Sequence, residues 1–516
     1  MNETRTYKSF KNSIVAIIAQ LLSILLSFIT RTFFIKYLGV EYLGVNGLFT
    51  NILTILSLAE LGVGTAIIYS MYKPLANSND TKVAALMNLY AKLYRYIGIF
   101  IGTVGIILIP FLNIFIKDAP NIPNLELIYV LYLLNTTISY FFTFKRSIII
   151  ADQYGYINKF NIILFSIIQN GIQIILLVKT SNFYLFLCVQ IACTLLSNIF
   201  ISIKADKMYP YLKKYKKIKV DTKEKKSIFK NIVAMMSHKL GSVVVSGTDN
   251  LLISAFVGIS SVGIYSNYIL VSNTIKAITL QGMDAVTASI GNLTATESTS
   301  HSYNVFKKVY FINYIITFYA AVFLYTLINP FISLWIGKGY LLSQHIVLMI
   351  VITFYIVQMR QPSIVYINAY GLFWKIKWKS IVEAIINLIV SMTLVAEFNM
   401  GIFGILLGTM ISNLFTNLWW EPHVVFKYGF NRNSYDYFKT YIIDSLVFVF
   451  TVILINRVCE SFRLGIGMQI LFNFGITSVI ATLVLLIVYA RKNEFKYFVG
   501  IINSMLKTLI NHRRLR

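Results

Sequence analysis

The chain has 516 residues, of which 57% are hydrophobic and 13% are charged, and its mean hydropathy is +0.70. A soluble protein of this length would divide into several domains with polar surfaces, so the composition excludes that class and indicates a membrane protein. The net charge of +26 would suggest a nucleic-acid partner in a soluble protein. In a membrane protein, the interpretation depends on which side of the membrane the basic residues lie.

Apolar segments long enough to cross a bilayer, about 20 residues each, follow one another from Ile14 to Ala490. Their lengths, and their breaks at charged residues, Gly and Pro, predict about fourteen spans in an all-α polytopic membrane protein. The first span is too long for the apolar core of a signal peptide, so we expect the chain to be inserted whole. The predicted spans are 12–38, 43–72, 83–116, 125–148, 157–179, 183–204, 229–257, 263–294, 305–335, 342–369, 376–398, 401–427, 437–457 and 467–490.

The basic residues follow a topology in which both termini lie in the cytoplasm. Most of the 46 Lys and Arg residues then fall in cytoplasmic segments, as the positive-inside rule requires. Topology and attraction to anionic lipid therefore explain the basic charge, and we expect no nucleic-acid partner. The external segments hold only Lys36, Lys117, Lys179, Lys338, Arg457 and Arg463.

A lysine-rich segment divides the predicted spans into groups. We expect an N-terminal lobe of six spans at 1–204, a basic cytoplasmic linker at 205–228 and a C-terminal lobe of six spans at 229–427. Residues 428–516 then supply two further spans and a basic, amphipathic cytoplasmic tail. No external segment is long enough for a folded domain, so binding is expected within the membrane or at its faces.

The two lobes carry an internal repeat. Residues 10–46 align without gaps with 229–265, and eight positions are identical, among them Gly39 with Gly258 and Gly44 with Gly263. A repeat of six spans enters the membrane from the same side each time, which predicts two pseudo-symmetric lobes facing each other across a central cavity. The paired glycines are expected to end one helix and begin the next in a tight external turn.

The first helix of each repeat carries a polar stripe in register. Residues at these spacings lie on one face of a helix, so each stripe is expected to line the cavity. Charges inside spans are costly and mark function or a buried partner. The stripe of the first helix is Gln20, Ser23, Ser27, Thr30 and Arg31, and that of the seventh is Lys239, Ser242, Ser246, Asp249 and Asn250.

Further charged residues lie in other spans. Lys276 and Arg360 join Arg31 and Lys239 as basic candidates for binding an anionic substrate in the cavity. Four carboxylates are candidates for gating or ion coupling, and Arg31 is expected to pair with Asp249 to close the outer mouth. Three scattered cysteines and no His cluster predict no metal site and no cofactor. The carboxylate candidates are Asp249, Glu60, Asp284 and Glu383.

Several segments resemble the polysaccharide flippases, the Wzx-type exporters of the multidrug/oligosaccharidyl-lipid/polysaccharide (MOP) superfamily. Asp249 to Gly258 followed by Val262 to Ser266 is similar to the seventh-helix signature of that family. Arg31 ahead of Leu38-Gly39, Leu58 to Gly64, and Gly291 to Glu297 also resemble it. The resemblance covers nearly the whole chain.

The resemblance implies a bacterial cytoplasmic-membrane flippase that moves a polyprenyl-diphosphate-linked oligosaccharide outward by alternating access. The product would enter capsule, O-antigen or a related surface polymer. Basic residues of the first and seventh helices would then bind the diphosphate, which assigns that role to Arg31 and Lys239. The implied partners are undecaprenyl-diphosphate-linked oligosaccharide, membrane lipids, the polysaccharide polymerase and the glycosyltransferases.

Two other functions remain open at this point. An ion-coupled multidrug exporter of the same superfamily would be expected to keep acidic groups for cations, whereas the deep charges here include Arg31, Lys239, Lys276 and Arg360. A membrane polysaccharide polymerase or ligase usually needs a large external loop with catalytic residues. No such loop, nucleophile triad or phosphate-cradling Gly loop is found, so the sequence predicts a protein that is not an enzyme.

Overall fold

The computed structural model describes residues 5–60, 62–117, 122–216, 218–462 and 464–500. Within those ranges, the side chains of 5–11, 13–14, 59, 231, 234–235, 237–244, 246, 281–282, 284–289, 291–292, 294–296 and 373 are not described. The chain divides into two compact units, Met1–Ser266 and Asn267–Arg516. The described residues form helices joined by short turns, which confirms the predicted all-α class.

The first unit contains the first nine helices and the beginning of the tenth. Helix α9, which opens the second repeat, contacts α1 and α2 inside this unit. The helices are α1 (Arg5–Leu56), α2 (Val63–Ala76), α3 (Asp80–Leu108), α4 (Leu125–Phe142), α5 (Arg146–Ala151), α6 (Gly155–Thr180), α7 (Phe183–Met208), α8 (Tyr211–Lys214), α9 (Thr222–Leu252) and α10 (Ile259–Thr296).

The second unit contains the rest of α10 and the helices α11 to α18, and residues 493–500 are also helical. Helix α11 is central to it, since α12, α17 and α18 all contact it. The helices are α11 (Thr299–Trp335), α12 (Gln344–Met359), α13 (Gln361–Tyr370), α14 (Lys379–Ala396), α15 (Gly401–Phe415), α16 (Asn417–Val424), α17 (Tyr435–Glu460) and α18 (Ile466–Tyr489). The predicted tail lies mostly outside the described residues, which end at residue 500.

The described residues contain eleven helices or helix pairs that are long and apolar enough to cross a membrane. One of them, Val15–Leu56, covers the first predicted span and part of the second, and the other ten match the third to sixth and ninth to fourteenth. The seventh and eighth spans correspond to α9 and α10, where many side chains are not described. The fold is therefore that of a multi-pass membrane protein with about fourteen spans.

The second predicted span, 43–72, is not one helix. Helix α1 runs on through a kink to Leu56, and a 3₁₀ turn at Ser57–Glu60 separates it from α2. Gly62 precedes α2 with φ 83°, a left-handed conformation that glycine adopts without a steric penalty. Hydropathy does not detect this break because the residues around it are apolar. Glu60 is the last residue of the 3₁₀ turn at the break.

Gly39 and Gly258 confirm the role predicted for the repeated glycines at a helix break, whereas Gly44 and Gly263 do not. Gly39 has φ 87° and kinks α1, and its counterpart Gly258 has φ 133° and separates α9 from α10. No described heavy atom lies within 4 Å of a Cβ built on either residue, so backbone conformation rather than space requires glycine there. Both repeats therefore use one device to redirect the chain between their first two spans.

The second glycine of each repeat serves a different purpose. A Cβ on Gly44 would lie 2.0 Å from the carbonyl oxygen of Ile259, and a Cβ on Gly263 would lie 2.3 Å from that of Val40. Val40 and Ile259 are themselves equivalent positions of the repeat, so the two contacts join equivalent pairs of residues. The second half of α1 and the start of α10 therefore cross at this pair of glycines. Small residues let two helix backbones approach closely inside a membrane.

We expect Gly44→Ala and Gly263→Ala each to lower the melting temperature of the purified protein. The added methyl group would meet a backbone carbonyl that cannot rotate away, and overpacking of this kind costs about 1–3 kcal/mol. Gly171→Ala is the matched control, because α6 leaves open space around a Cβ at that position. Equal melting temperatures for Gly44→Ala and Gly171→Ala would contradict the close crossing.

Candidate functional site

Arg31 lies at a junction of α1 with the beginning of α10. Its Nη1 donates a hydrogen bond to Oγ of Ser266 at 2.9 Å, and the side chain is half-buried. The expected pairing of Arg31 with Asp249 stays a prediction. A guanidinium has five N–H donors, so Arg31 can direct most of its hydrogen bonds to an incoming anion.

The rest of the first polar stripe follows the same helix. Thr30 donates to Oδ1 of Asn170 on α6, while Oγ of Ser27 donates to the carbonyl oxygen of Ser23 one turn earlier. Gln20 and Ser23 are half-buried and Ser27 is exposed, so these groups are not sealed inside the first unit. Only Thr30 and Arg31 of this stripe are tied to another helix by the hydrogen bonds of the described residues.

The stripe of the seventh helix is described only in part. Asp249 is buried on α9, and Oδ1 of its neighbour Asn250 is buried without a hydrogen-bond donor among the described residues. Buried carboxamide oxygens normally have a donor, so Asn250 is available to a ligand or to water. The predicted side chains of Lys239, Ser242, Ser246 and Asp284 lie outside the described residues.

Lys276 is a half-buried lysine of α10 in the second unit. It has no carboxylate partner among the ion pairs of the described residues. An uncompensated ammonium inside a span is costly, which makes Lys276 a candidate for binding an anion.

Arg360 is neutralised by a carboxylate that sequence reasoning did not select. Its Nε and Nη2 donate to the two carboxylate oxygens of Glu421 at 2.9 and 2.6 Å, and its Nη1 donates to Oδ1 of Asn413 at 3.1 Å. Glu421 also accepts a hydrogen bond of 2.7 Å from Lys379. A bidentate pair of this geometry holds Arg360 in place.

Glu383 completes the same buried network. Lys379 lies 3.8 Å from it, and Nδ2 of Asn417 donates to it at 2.5 Å. The network thus places two cations, Arg360 and Lys379, beside two carboxylates, Glu383 and Glu421, with no net charge. Charges that are compensated in this way stabilise the packing of the second unit more readily than they bind a cargo.

Interrupted helices position this network. Pro362 occupies the second position of α13, where its ring prevents continuous hydrogen bonding with α12, and Arg360 stands at the break. Helix α15 ends at Phe415, and Thr416 has the non-helical angles φ −125° and ψ −74° before α16 begins. Broken helices at membrane depth occur in transporters near binding sites.

Glu60 faces a small polar cavity in the first unit. The cavity measures about 270 Å³ and is walled by α3, α4 and α7. The hydroxyl of Tyr94 donates to the Glu60 carboxylate, and Oδ1 of Asn135 in the wall is buried without a donor among the described residues. Glu60 therefore lies beside the hydroxyl-bearing and carboxamide-bearing side chains that line this cavity.

Sequence reasoning did not select two buried acidic groups. Glu421 lies within the predicted span 401–427 and Asp444 within 437–457, so a systematic search of the spans for carboxylates would have found both. Asp444 is fully buried and accepts hydrogen bonds from Tyr489 at 2.6 Å and Tyr310 at 3.2 Å. Tyr314 donates to the main-chain carbonyl oxygen of Asp444, so three tyrosines join α11, α17 and α18 around this residue.

Comparison with known proteins shows where this fold occurs. The lipid II flippase MurJ, in an inward closed conformation, covers 93% of this chain and 98% of its own length, with a TM-score of 0.63 and 16% identity. A multidrug resistance MATE family transporter of the MOP superfamily, in an inward-facing conformation, covers 80% and 98%, with a TM-score of 0.61 and 15% identity. A MATE transporter of Vibrio cholerae covers 81% and 94%, with a TM-score of 0.54 and 14% identity.

The TM-scores show that the chain shares the fold of these transporters and of this flippase, and at such low identity the similarity shows nothing finer. No family model matches the sequence, and no curated protein matches it. The fold agrees with the superfamily that the sequence motifs resemble.

Proposed function

We propose that this protein flips a polyprenyl-diphosphate-linked oligosaccharide from the cytoplasmic to the external leaflet by alternating access, for synthesis of a cell-surface polysaccharide. Arg31 carries the proposal, because it is a membrane-embedded guanidinium that donates to one hydroxyl and has no ion pair among the described residues. The fold that it shares with a lipid II flippase supports the same cargo class.

The chemistry of the basic groups divides their roles. The fork of Arg31 suits two oxygens of a diphosphate, and Lys276 supplies a compact positive charge. Arg360 is held by Glu421, so we assign it to the structure of the second unit rather than to the cargo. Lys239 keeps its predicted diphosphate role, and its side chain lies outside the described residues.

The membrane potential can drive this export. Moving about two negative charges outward across an inside-negative potential of roughly 100 mV releases about 4–5 kcal/mol. We therefore expect the protein to work without a coupling ion. The polymerase and glycosyltransferases that make and use the cargo are the proposed partners, and the cell membrane is the proposed location, with both termini in the cytoplasm.

Reconstituted protein allows the electrogenic step to be measured. We expect a fluorescent undecaprenyl-diphosphate oligosaccharide to flip faster when the compartment from which it leaves is made negative by a potassium diffusion potential. The same vesicles at zero potential, and vesicles without protein, are the controls. A flipping rate that is independent of the potential, but that rises with an imposed proton or sodium gradient, would contradict export driven by the potential.

The similarity to MATE transporters keeps multidrug export as a second candidate. Glu60 favours it, because a carboxylate in a polar membrane cavity suits a cation. Export of drug cations that is lost in Glu60→Gln and kept in Arg31→Ala would favour this candidate over flipping.

A further inference from the structure

A cavity of about 510 Å³ opens where the first turns of α11 and α17 meet the end of α18. These three helix ends lie at the membrane face that the distribution of basic residues predicts to be cytoplasmic. Neither the polar stripes nor the buried network of Arg360 belongs to this cavity. It therefore offers a separate place for a ligand at the boundary between membrane and water.

The cavity is lined by an excess of positive charge. Lys307, Arg491 and Lys492 face it, and none of them forms an ion pair with another described residue. Asp436 and Glu494 also line it, so the five charged groups leave a net charge of +1. A phosphodiester carries one negative charge and matches this balance, whereas a polyphosphate would bring more negative charge than the cavity can compensate.

Aromatic rings form the inner wall and are held in place before any ligand binds. Tyr310 donates to the buried carboxylate of Asp444 at 3.2 Å, and its ring centroid lies 5.4 Å from that of Tyr437. Phe306 packs at 6.1 Å from Tyr437. A wall that is fixed in this way lowers the entropic cost of binding.

Apolar surface adjoins the cavity at the end of α18. Ile487 lies in the last turn of α18, four residues before the cavity-lining Arg491, and it is exposed. An exposed apolar residue in a membrane span faces lipid tails, so a ligand seated in the cavity has room for acyl chains beside Ile487. This apolar surface favours a lipid over a soluble phosphate ester.

We propose that the cavity between α11, α17 and α18 binds the phosphodiester headgroup of a membrane phospholipid. Lys307, Arg491 and Lys492 hold the phosphate, and the aromatic wall contacts the glycerol region. Basic pockets between membrane helices bind lipid headgroups by this chemistry. The bound lipid would fasten the C-terminal helix pair to α11, and this role is independent of which cargo the protein moves.

The test measures binding of fluorescent phosphatidylglycerol to purified full-length protein in neutral detergent. Lys307→Gln/Arg491→Gln/Lys492→Gln removes the three basic groups that line the cavity and should weaken affinity at least about tenfold. The matched control is Lys223→Gln/Lys225→Gln/Lys226→Gln, which removes the same charge from exposed positions at the start of α9. We expect the control to bind as the native protein does.

A variant that fills the cavity without changing charge keeps the test independent of general electrostatics. Thr440→Trp should weaken binding as well, because Thr440 lines the cavity. Equal losses in the two charge variants, or full binding by Thr440→Trp, would overturn the site. Displacement of the lipid by inorganic phosphate at the same concentration would show that the cavity takes a free anion, which would overturn the assignment to lipid.

Discussion

Arg31→Ala is expected to slow flipping of the lipid-linked oligosaccharide by about 10- to 100-fold. Hydrogen bonds to a charged group contribute roughly 1.5–3 kcal/mol each, and the guanidinium is expected to give the diphosphate at least one such bond. Arg31→Lys keeps the charge but loses the planar fork, so an intermediate rate is expected. The measurement is the flipping rate of a fluorescent cargo in proteoliposomes with equal amounts of each protein.

Two controls separate cargo binding from damage to the fold. Arg95→Ala removes an exposed arginine from α3 and should flip as fast as the native protein. Ser266→Ala removes the one hydroxyl that Arg31 contacts and should also retain most activity, because the guanidinium keeps its charge. Native rates in Arg31→Ala would refute a diphosphate role for this residue.

Glu421→Gln is expected to have the largest effect on stability. The carboxylate accepts two hydrogen bonds from Arg360 and one from Lys379, and it is almost fully buried. Its removal leaves two buried cations facing one remaining carboxylate, Glu383. Breaking a buried ion pair from one side costs about 3–5 kcal/mol, so a marked fall in melting temperature should follow.

A double variant tests whether the loss comes from uncompensated charge. Arg360→Met/Glu421→Met removes one cation together with its carboxylate and leaves Lys379 beside Glu383, so it should melt above Glu421→Gln. Glu397→Gln removes an exposed carboxylate just after α14 and should change stability by less than about 0.5 kcal/mol. Equal melting temperatures for Glu421→Gln and Glu397→Gln would show that the buried network does not stabilise the protein.

The sequence predicts the membrane class, the helical fold and the role of Gly39 and Gly258 because each depends on local information. Hydropathy reports spans, and the recurrence of Gly39 at Gly258 reports a turn that needs a positive φ. The break at Ser57–Glu60 escapes prediction because apolar residues surround it. The close contacts of Gly44 and Gly263 with the facing backbone are also not predicted, since periodicity does not reveal which helices cross.

The candidate site is less predictable than the fold because partners lie far apart in sequence. Arg360 and Glu421 are separated by 61 positions, and nothing local indicates that they pair. Arg31 donates a hydrogen bond to Ser266, which lies 235 positions away. Charge and depth can select candidates for binding, but only the tertiary contacts show that Arg360 is compensated while Lys276 has no ion pair among the described residues.

The most direct measurement compares two cargoes in one preparation. Proteoliposomes with purified native protein would receive either a fluorescent undecaprenyl-diphosphate oligosaccharide or a fluorescent drug cation, and the transbilayer movement of each would be followed against protein-free vesicles. We expect the lipid-linked oligosaccharide to cross and the cation to stay. Transport of the cation without movement of the lipid would contradict the proposed flippase.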